Sequence, residues 1–363
     1  MKMNFITEFF NKQLLGVDLG KRTIKGVKLM KAKDGTVKLV NHFFQDLAAT
    51  SEQFPEKANR IEALKAALEI HKLSSSYVAS TVRDSQVMSF LFDLPQMSDK
   101  ELSQIVPLEI AEHANIIVED HNCDYTLSPV LSEKPGMTAI RAYCVKREVV
   151  LEQMRVLKEV GLKPQNIESE MMAITAMLKF NDYINPQEVV VVLDLGESHL
   201  TSGLIADGCL SLTRTHDVSF GTLNQELHEQ CNLTYNSAEK IKLNYDFLLP
   251  VEEGNKVSEV LSETYLQIFQ SVKDSLDFYK ECRESYGRID RILLVGGASQ
   301  LSCVSLTLDT IFKIPTVVVN PFRKIDIFTA IDSHSQDEIA QLAPYMGIAV
   351  GLALASIPEE DAA

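Results

Sequence analysis

Two short segments, Leu14-Leu-Gly-Val-Asp18-Leu-Gly20 and Val190-Val-Val-Leu-Asp194-Leu-Gly196, carry one pattern with 176 residues between equivalent positions. Each is an apolar run ending in Asp-Leu-Gly, as expected of a strand that turns tightly back on itself. Backbone N–H groups at such a bend form a concavity that takes anions such as phosphate, and glycine lets the backbone come close. A carboxylate at the strand end suits Mg2+, which takes one or two protein carboxylates and keeps several waters. Asp18 and Asp194 are the candidate metal-side carboxylates. Gly20, Lys21, Arg22 and Thr23 form the candidate first turn, and Gly196, Glu197 and Ser198 the second. Facing each other, the two turns would clamp a triphosphate and its metal from both sides.

Lys25 lies seven residues beyond Asp18, within the apolar run Ile24, Gly26, Val27. There it either reaches the phosphates as a point charge or is a solvated strand lysine. A third piece, Ile292-Leu-Leu-Val-Gly296-Gly297-Ala298-Ser-Gln-Leu, reads as a buried strand entering a double glycine and a helix start. That suits close backbone approach to a flat ligand. Alone it is no better than a turn; with the repeated Asp-Leu-Gly in this order it becomes informative.

The elements around these motifs are also duplicated. Each Asp-Leu-Gly precedes a second strand, Ile24 to Leu29 or Leu200 to Ile205, and then an Asp-Gly turn, so two halves of one fold are repeated. The first meander closes with Thr36 to Phe44 and is followed by a helix over Glu56 to His71. From Tyr77 the pattern is strand, strand, a helix from Ser98 to Ala114 opened by Ser98 and Glu101, two strands around Asp124 to Val145, and a helix from Arg147 to Val160. This reads as an α+β insert. Asn166 to Ser169 leads into a helix to Phe180, and Glu188 to Leu195 opens the second meander. Helices near Gly221 to Cys231, Ser237 to Phe247 and Lys256 to Ser285 follow, then the strand Ile289 to Val295 and helices to the end. The longest has an apolar face of Val257, Val260, Leu261, Leu266, Phe269, Val272 and Leu276 that reads as core. Strands alternating with helices place the chain in the α/β class.

The 363 residues suffice for two or three compact units. With 35 Lys and Arg against 50 Asp and Glu, the net charge of −15 argues against broad nucleic-acid binding. Residues 1 to 40 go the other way, with nine basic and three acidic side chains. No apolar run reaches the roughly 18 residues of a membrane span, and the start MKMNFITEFFNKQ lacks the apolar core of a secretory signal. It puts Met3, Ile6, Phe9 and Phe10 at helical spacing beside Lys2 and Lys12. Six scattered cysteines without a CxxC pair read as reduced, buried thiols. His113, His121, His199 and His216 lack the spacing of a zinc site.

The three motifs in this order resemble the two phosphate motifs and the adenosine motif of the actin-like ATPase fold. Within it, residues 14 to 356 resemble the PilM family of type IV pilus platform proteins. The insert, with Leu91-Phe-Asp-Leu-Pro95, Glu109 to Ile117 and Ala139 to Val145, is similar to the 1C subdomain shared with the division protein FtsA. Tyr235-Asn-Ser-Ala-Glu239-Lys-Ile-Lys242 resembles an AExxK helix whose Glu and Lys flank ribose and adenine in relatives, and Tyr345 to Leu354 resembles the closing helix.

The resemblance implies an actin-like lobe over 14–187 with the 1C insert at about 78–166, a second lobe over 188–357, an amphipathic start at 1–13 and an acidic tail at 358–363. It implies an ATP cleft between the lobes, with ATP and Mg2+ as cofactors. It implies a place on the cytoplasmic face of the inner membrane and a role in twitching motility. The implied partner is the N-terminal cytoplasmic peptide of PilN, within a PilN/PilO platform, with the motor ATPases and PilC as further contacts.

Two departures bear on activity. Ser219-Phe220-Gly221-Thr222 stands where relatives carry a Gly-Gly pair, and Glu197 puts an acid in the second phosphate turn. Both argue for weak or absent hydrolysis, and either Glu197 faces away from the phosphates or the grip on the nucleotide is weakened. Glu168 and Glu170 are the nearest candidates to activate a water. The alternatives are an FtsA- or MreB-like filament protein, whose usual C-terminal amphipathic membrane helix is missing, and a sugar or carboxylate kinase, whose sugar-binding loop is not apparent. The secretion protein GspL is a further neighbour, but it continues into a membrane span.

Overall fold

A computed structural model describes residues 13–47, 60–127, 136–282, 288–327, 333–355 and 357. The amphipathic start over 1–12 and the tail over 358–363 lie outside the described residues.

The first meander comprises β1 (Leu15–Leu19), β2 (Thr23–Lys31) and β3 (Val37–Asp46). Helix α1 (Arg60–Ile70) and strand β4 (Tyr77–Val82) follow. Next come β5 (Val87–Pro95), α2 (Asp99–Ala114), β6 (His121–Leu127), β7 (Met137–Lys146) and α3 (Arg147–Glu159). Strand β8 (Lys163–Ser169) and helix α4 (Glu170–Phe180) lead to the second meander, β9 (Val190–Leu195), β10 (Leu200–Ala206) and β11 (Cys209–His216). Helices α5 (Phe220–Cys231), α6 (Tyr235–Asn244) and α7 (Lys256–Cys282) precede β12 (Arg291–Val295), α8 (Val304–Phe312) and β13 (Thr316–Val318). The chain continues through β14 (Ile325–Asp326), α9 (Ser333–Leu342) and α10 (Gly347–Leu354).

The repeat seen in the sequence is a repeat of topology. One sheet runs β14-β3-β2-β1-β4-β8 and the other β11-β10-β9-β12-β13, so the order β3-β2-β1-β4-β8 is reproduced strand for strand. The directions match as well: β1 is antiparallel to β2 and parallel to β4, and β9 is antiparallel to β10 and parallel to β12. Strand β9 is apolar from Val190 to Leu193, ahead of Asp194, because both its faces are covered.

Helices α4 and α10 lie between the two sheets and share one core with them, in which Met171, Ile174 and Met177 meet Val27, Leu29, Val192, Val295, Ala349 and Ala353. Helices α1 and α3 cover the outer face of the first sheet, and α5 to α8 that of the second.

The insert is narrower than the stretch 78–166. Strands β4 and β8 at its ends belong to the six-stranded sheet, and α3 packs on that sheet through Val150 and Leu157. Between them, β5-β7-β6 forms a three-stranded sheet covered by α2. Ser98 and Glu101 close the expected capping box at the start of α2. Cys123 and Cys144, 21 residues apart in the chain, sit directly opposite on β6 and β7 with their sulfurs 3.2 Å apart.

Two readings of the second half are corrected. Leu266 is 68% exposed on α7, while Tyr265 and Ile268 are buried. The buried stripe steps through 261, 265, 268, 272 and 276, and Leu266 is one residue, about 100°, off it. The stretch after Val295 is not helical throughout, because β13 and β14 extend the two sheets. At two and three residues they are too short for an alternation to show.

Candidate functional site

All fifteen candidate site residues line one cavity between the sheets. The first turn brings Gly20, Lys21, Arg22 and Thr23; the second brings Gly196, Glu197 and Ser198; Glu239 and Lys242 come from α6, and Gly296, Gly297 and Ala298 from the end of β12. The turns are tight: a Cβ at Gly20 would lie 2.7 Å from the Thr23 carbonyl oxygen, and one at Gly196 2.9 Å from that of His199.

At the floor of the cavity stand Asp18, at the end of β1, and Asp194, at the end of β9. Lys25 does not extend freely toward the turn. It is buried on β2, directly opposite Asp18, and its Nζ donates to Asp18 Oδ2 at 2.6 Å. Burial pushes the Asp194 carboxyl up to about 7; Lys25 opposes the shift, and Asp18 and Asp84 add to it. Glu170 joins this group at the first turn of α4, and burial, then Asp84, Asp194 and Asp18, raise its carboxyl well above the usual range. Asp84 is held to the same helix start by accepting the Met171 N–H at 2.9 Å, and burial pushes it up to about 6. Of these four carboxylates, Asp18 and Asp194 are the ones that the buried Lys25 acts on. Glu168, the other candidate to activate a water, sits on β8 opposite Thr81 and is not among the cavity lining.

A pair of carboxylates at the ends of β1 and β9, facing one cavity, is a donor set that fits a divalent cation. Among the described residues no three His, Cys, Asp or Glu side chains converge as direct metal ligands. A Mg2+ here would be held by Asp18 and Asp194 through its waters and by phosphate oxygens, the mode Mg2+ favours.

The other end of the cavity is built from α6. Glu239 accepts from Arg22 Nη1 at 2.7 Å on one oxygen, and from Lys242 at 2.6 Å and Asn224 Nδ2 at 2.7 Å on the other. Burial would raise the Glu239 carboxyl, but Lys242 and Arg22 outweigh it and hold it down to about 2. The i, i+3 spacing of Glu239 and Lys242 puts both on one face of the helix.

The double glycine has a role beyond approach to a flat ligand. A Cβ on Gly296 would lie 2.4 Å from Asp194 Oδ1, and one on Gly297 2.4 Å from the Tyr345 ring. Gly296 also has φ +85°, which favours glycine. The pair makes room for a carboxylate on one side and an aromatic wall on the other.

Glu197 lines the cavity and is engaged by two neighbours. It accepts the Tyr235 hydroxyl at 2.6 Å and lies 3.9 Å from Lys242 Nζ. Phe220, in place of a glycine, is buried edge-on against Tyr265, while its carbonyl accepts from Lys242 at 3.3 Å. The bulky ring therefore packs in the second-lobe core while Phe220 also borders the cleft.

Sequence reasoning passed over Asp84, Tyr345 and the bracing role of Tyr235. Asp84 lies outside every motif, and Tyr345 meets the cavity only because α10 packs between the sheets.

Two duplicated sheets with crossing helices and a cleft walled by both repeats define the actin-like ATPase fold. The family of type IV pilus assembly protein PilM matches over residues 16–357, and the chain belongs to it. Among solved structures the chain is similar to the PilM-PilN type IV pilus biogenesis complex, at 19% identity over 96% of this chain and 100% of that one, with a TM-score of 0.78. It is also similar to the ethanolamine utilization protein EutJ from Carboxydothermus hydrogenoformans, at 14% identity over 96% and 92% of the two chains, with a TM-score of 0.50. At such identities the likeness is one of fold. No curated protein matches the sequence.

Proposed function

We propose that the chain is an ATP-binding component of the type IV pilus assembly platform that holds the N-terminal cytoplasmic peptide of PilN and links the platform to the motor. The observation that carries the nucleotide part is the convergence of both Asp-Leu-Gly turns, the Glu239 and Lys242 pair and the double glycine on one cavity. In this reading the two turns hold the phosphates, Asp18 and Asp194 orient the waters of Mg2+, and Glu239 and Lys242 border the nucleoside. Bound Mg-ATP neutralises the carboxylate floor and stabilises the closed arrangement of the lobes. Glu197 is engaged by Tyr235 and Lys242, and this engagement of the acid in the second turn supports binding with little turnover.

The partner part rests on family membership. Among the described residues no helix is long and apolar enough to cross a membrane, consistent with a place at the inner membrane through partners. The test is a pulldown with the PilN N-terminal peptide, with and without Mg-ATP. Retention is expected, and its absence in both conditions overturns the reading.

A further inference from the structure

The contact between Arg22 and Glu239 crosses the cleft. Arg22 belongs to the turn between β1 and β2 of the first lobe, and Glu239 to α6 of the second, 2.7 Å apart at Nη1 and Oε1. Arg22 is not a side chain that has swung across from solvent. Its Nη2 and Nε face Asp46 at the end of β3, at 3.1 and 3.5 Å, and its guanidinium lies 5.3 Å from the centre of the Tyr235 ring. The fork on Asp46 fixes its plane, which leaves Nη1 aimed at α6. Tyr235 in turn donates to Glu197 in the second turn. One guanidinium therefore ties the first phosphate turn to the nucleoside side of the opposite lobe, and through Tyr235 to the second phosphate turn.

We infer that Arg22 is an inter-lobe clasp, a positioning residue that sets how fast a nucleotide enters and leaves the cleft. The inference rests on the nucleotide reading above for its ligand, but not for its geometry. Oε2 of Glu239 takes Lys242 and Asn224, and Oε1 takes Arg22, so a ribose hydroxyl that reaches Oε1 competes there with the Arg22 contact. Each entry and exit then breaks one charge-assisted bond, which the free state has at Glu239 and the loaded state would replace by a phosphate contact of the guanidinium. Rates are therefore affected more than affinity.

The experiment uses the full chain, a fluorescent ATP analogue and Mg2+, with stopped-flow mixing for entry and an excess of unlabelled ATP for exit. Arg22→Gln is expected to speed both by about tenfold, the scale of one lost bond to a charged group. Arg22→Lys keeps the charge toward Glu239 and should restore slow exchange in part, which a loss of packing would not. Unchanged rates in Arg22→Gln overturn the clasp. If Arg22→Gln does not fold, Asp46→Asn, which loosens the fork alone, is expected to speed exchange, and unchanged rates there overturn it equally. Should the wild-type chain take up no nucleotide, the reading of the cleft fails. The clasp is then decided by X-ray scattering of the ligand-free proteins, where a larger radius for Arg22→Gln supports it and an equal one overturns it.

Discussion

Gly351 on α10 lies against the backbone of Ala173 on α4, so closely that a Cβ on Gly351 would stand 1.9 Å from the Ala173 carbonyl oxygen. Gly16 on β1 is in the same position toward α10, with a would-be Cβ 2.2 Å from the Ala349 carbonyl oxygen. Strand β1, α10 and α4 thus form a stack in which glycine sets the spacing. This stack packs within the core that lies between the two sheets.

Gly351→Ala should therefore destabilise the protein by about 1–3 kcal/mol, the usual cost of overpacking. Gly347→Ala in the same helix is the control, since its Cβ would meet Met177 at an ordinary 3.5 Å. Urea unfolding midpoints of the two variants check this, and equal midpoints would sink the stack as a determinant of spacing.

Glu239 predicts a pH dependence. Its carboxyl is held down to about 2 in the folded chain, against 4.5 as the ordinary value. The folded state binds the proton less readily than the unfolded one, so this contribution is present above pH 4.5 and is lost as pH falls toward 2. Glu239→Gln should cost roughly 2–3 kcal/mol at pH 7, by leaving Arg22 and Lys242 without their carboxylate. The gap from wild type should shrink steadily below pH 4.5 in denaturation curves.

Tyr235→Phe removes the hydroxyl that engages Glu197 in the second turn. ATP affinity measured by calorimetry should fall about tenfold, one hydrogen bond to a charged group plus the repulsion it restrained. An unchanged affinity would mean that Lys242 alone is sufficient to restrain Glu197.

Asp18→Asn, which keeps an acceptor for the buried Lys25 Nζ, should leave the fold intact, judged by circular dichroism, and remove the dependence of ATP binding on Mg2+. Titrations with and without EDTA decide it. Wild-type phosphate release should be slow or absent, and rapid release would show that Glu197 and Phe220 hinder turnover less than their positions indicate.

The parts of this site that could be read from the chain are those set by local geometry. Asp-Leu-Gly announces a strand end and a turn, the Glu239 and Lys242 spacing puts two side chains on one helical face, and the Ser98 and Glu101 pair marks the start of α2. Strands β13 and β14 were illegible because two or three residues carry no period. Leu266 was misplaced because several apolar residues on α7 fit a helical stripe nearly as well as the true one. Lys25 could be given a point charge but not a partner, since only strand pairing puts it opposite Asp18.

The duplication was written in the sequence alone, and with it the α/β class and the residue types available to the cleft. Tertiary structure decided which groups face one another: Arg22 with Glu239, Gly296 with Asp194, Gly297 with Tyr345, and Glu197 with Tyr235. Those pairs lie between 38 and 217 residues apart. Local periodicity reaches only a few residues along the chain, whereas these contacts depend on how two lobes pack around α4 and α10.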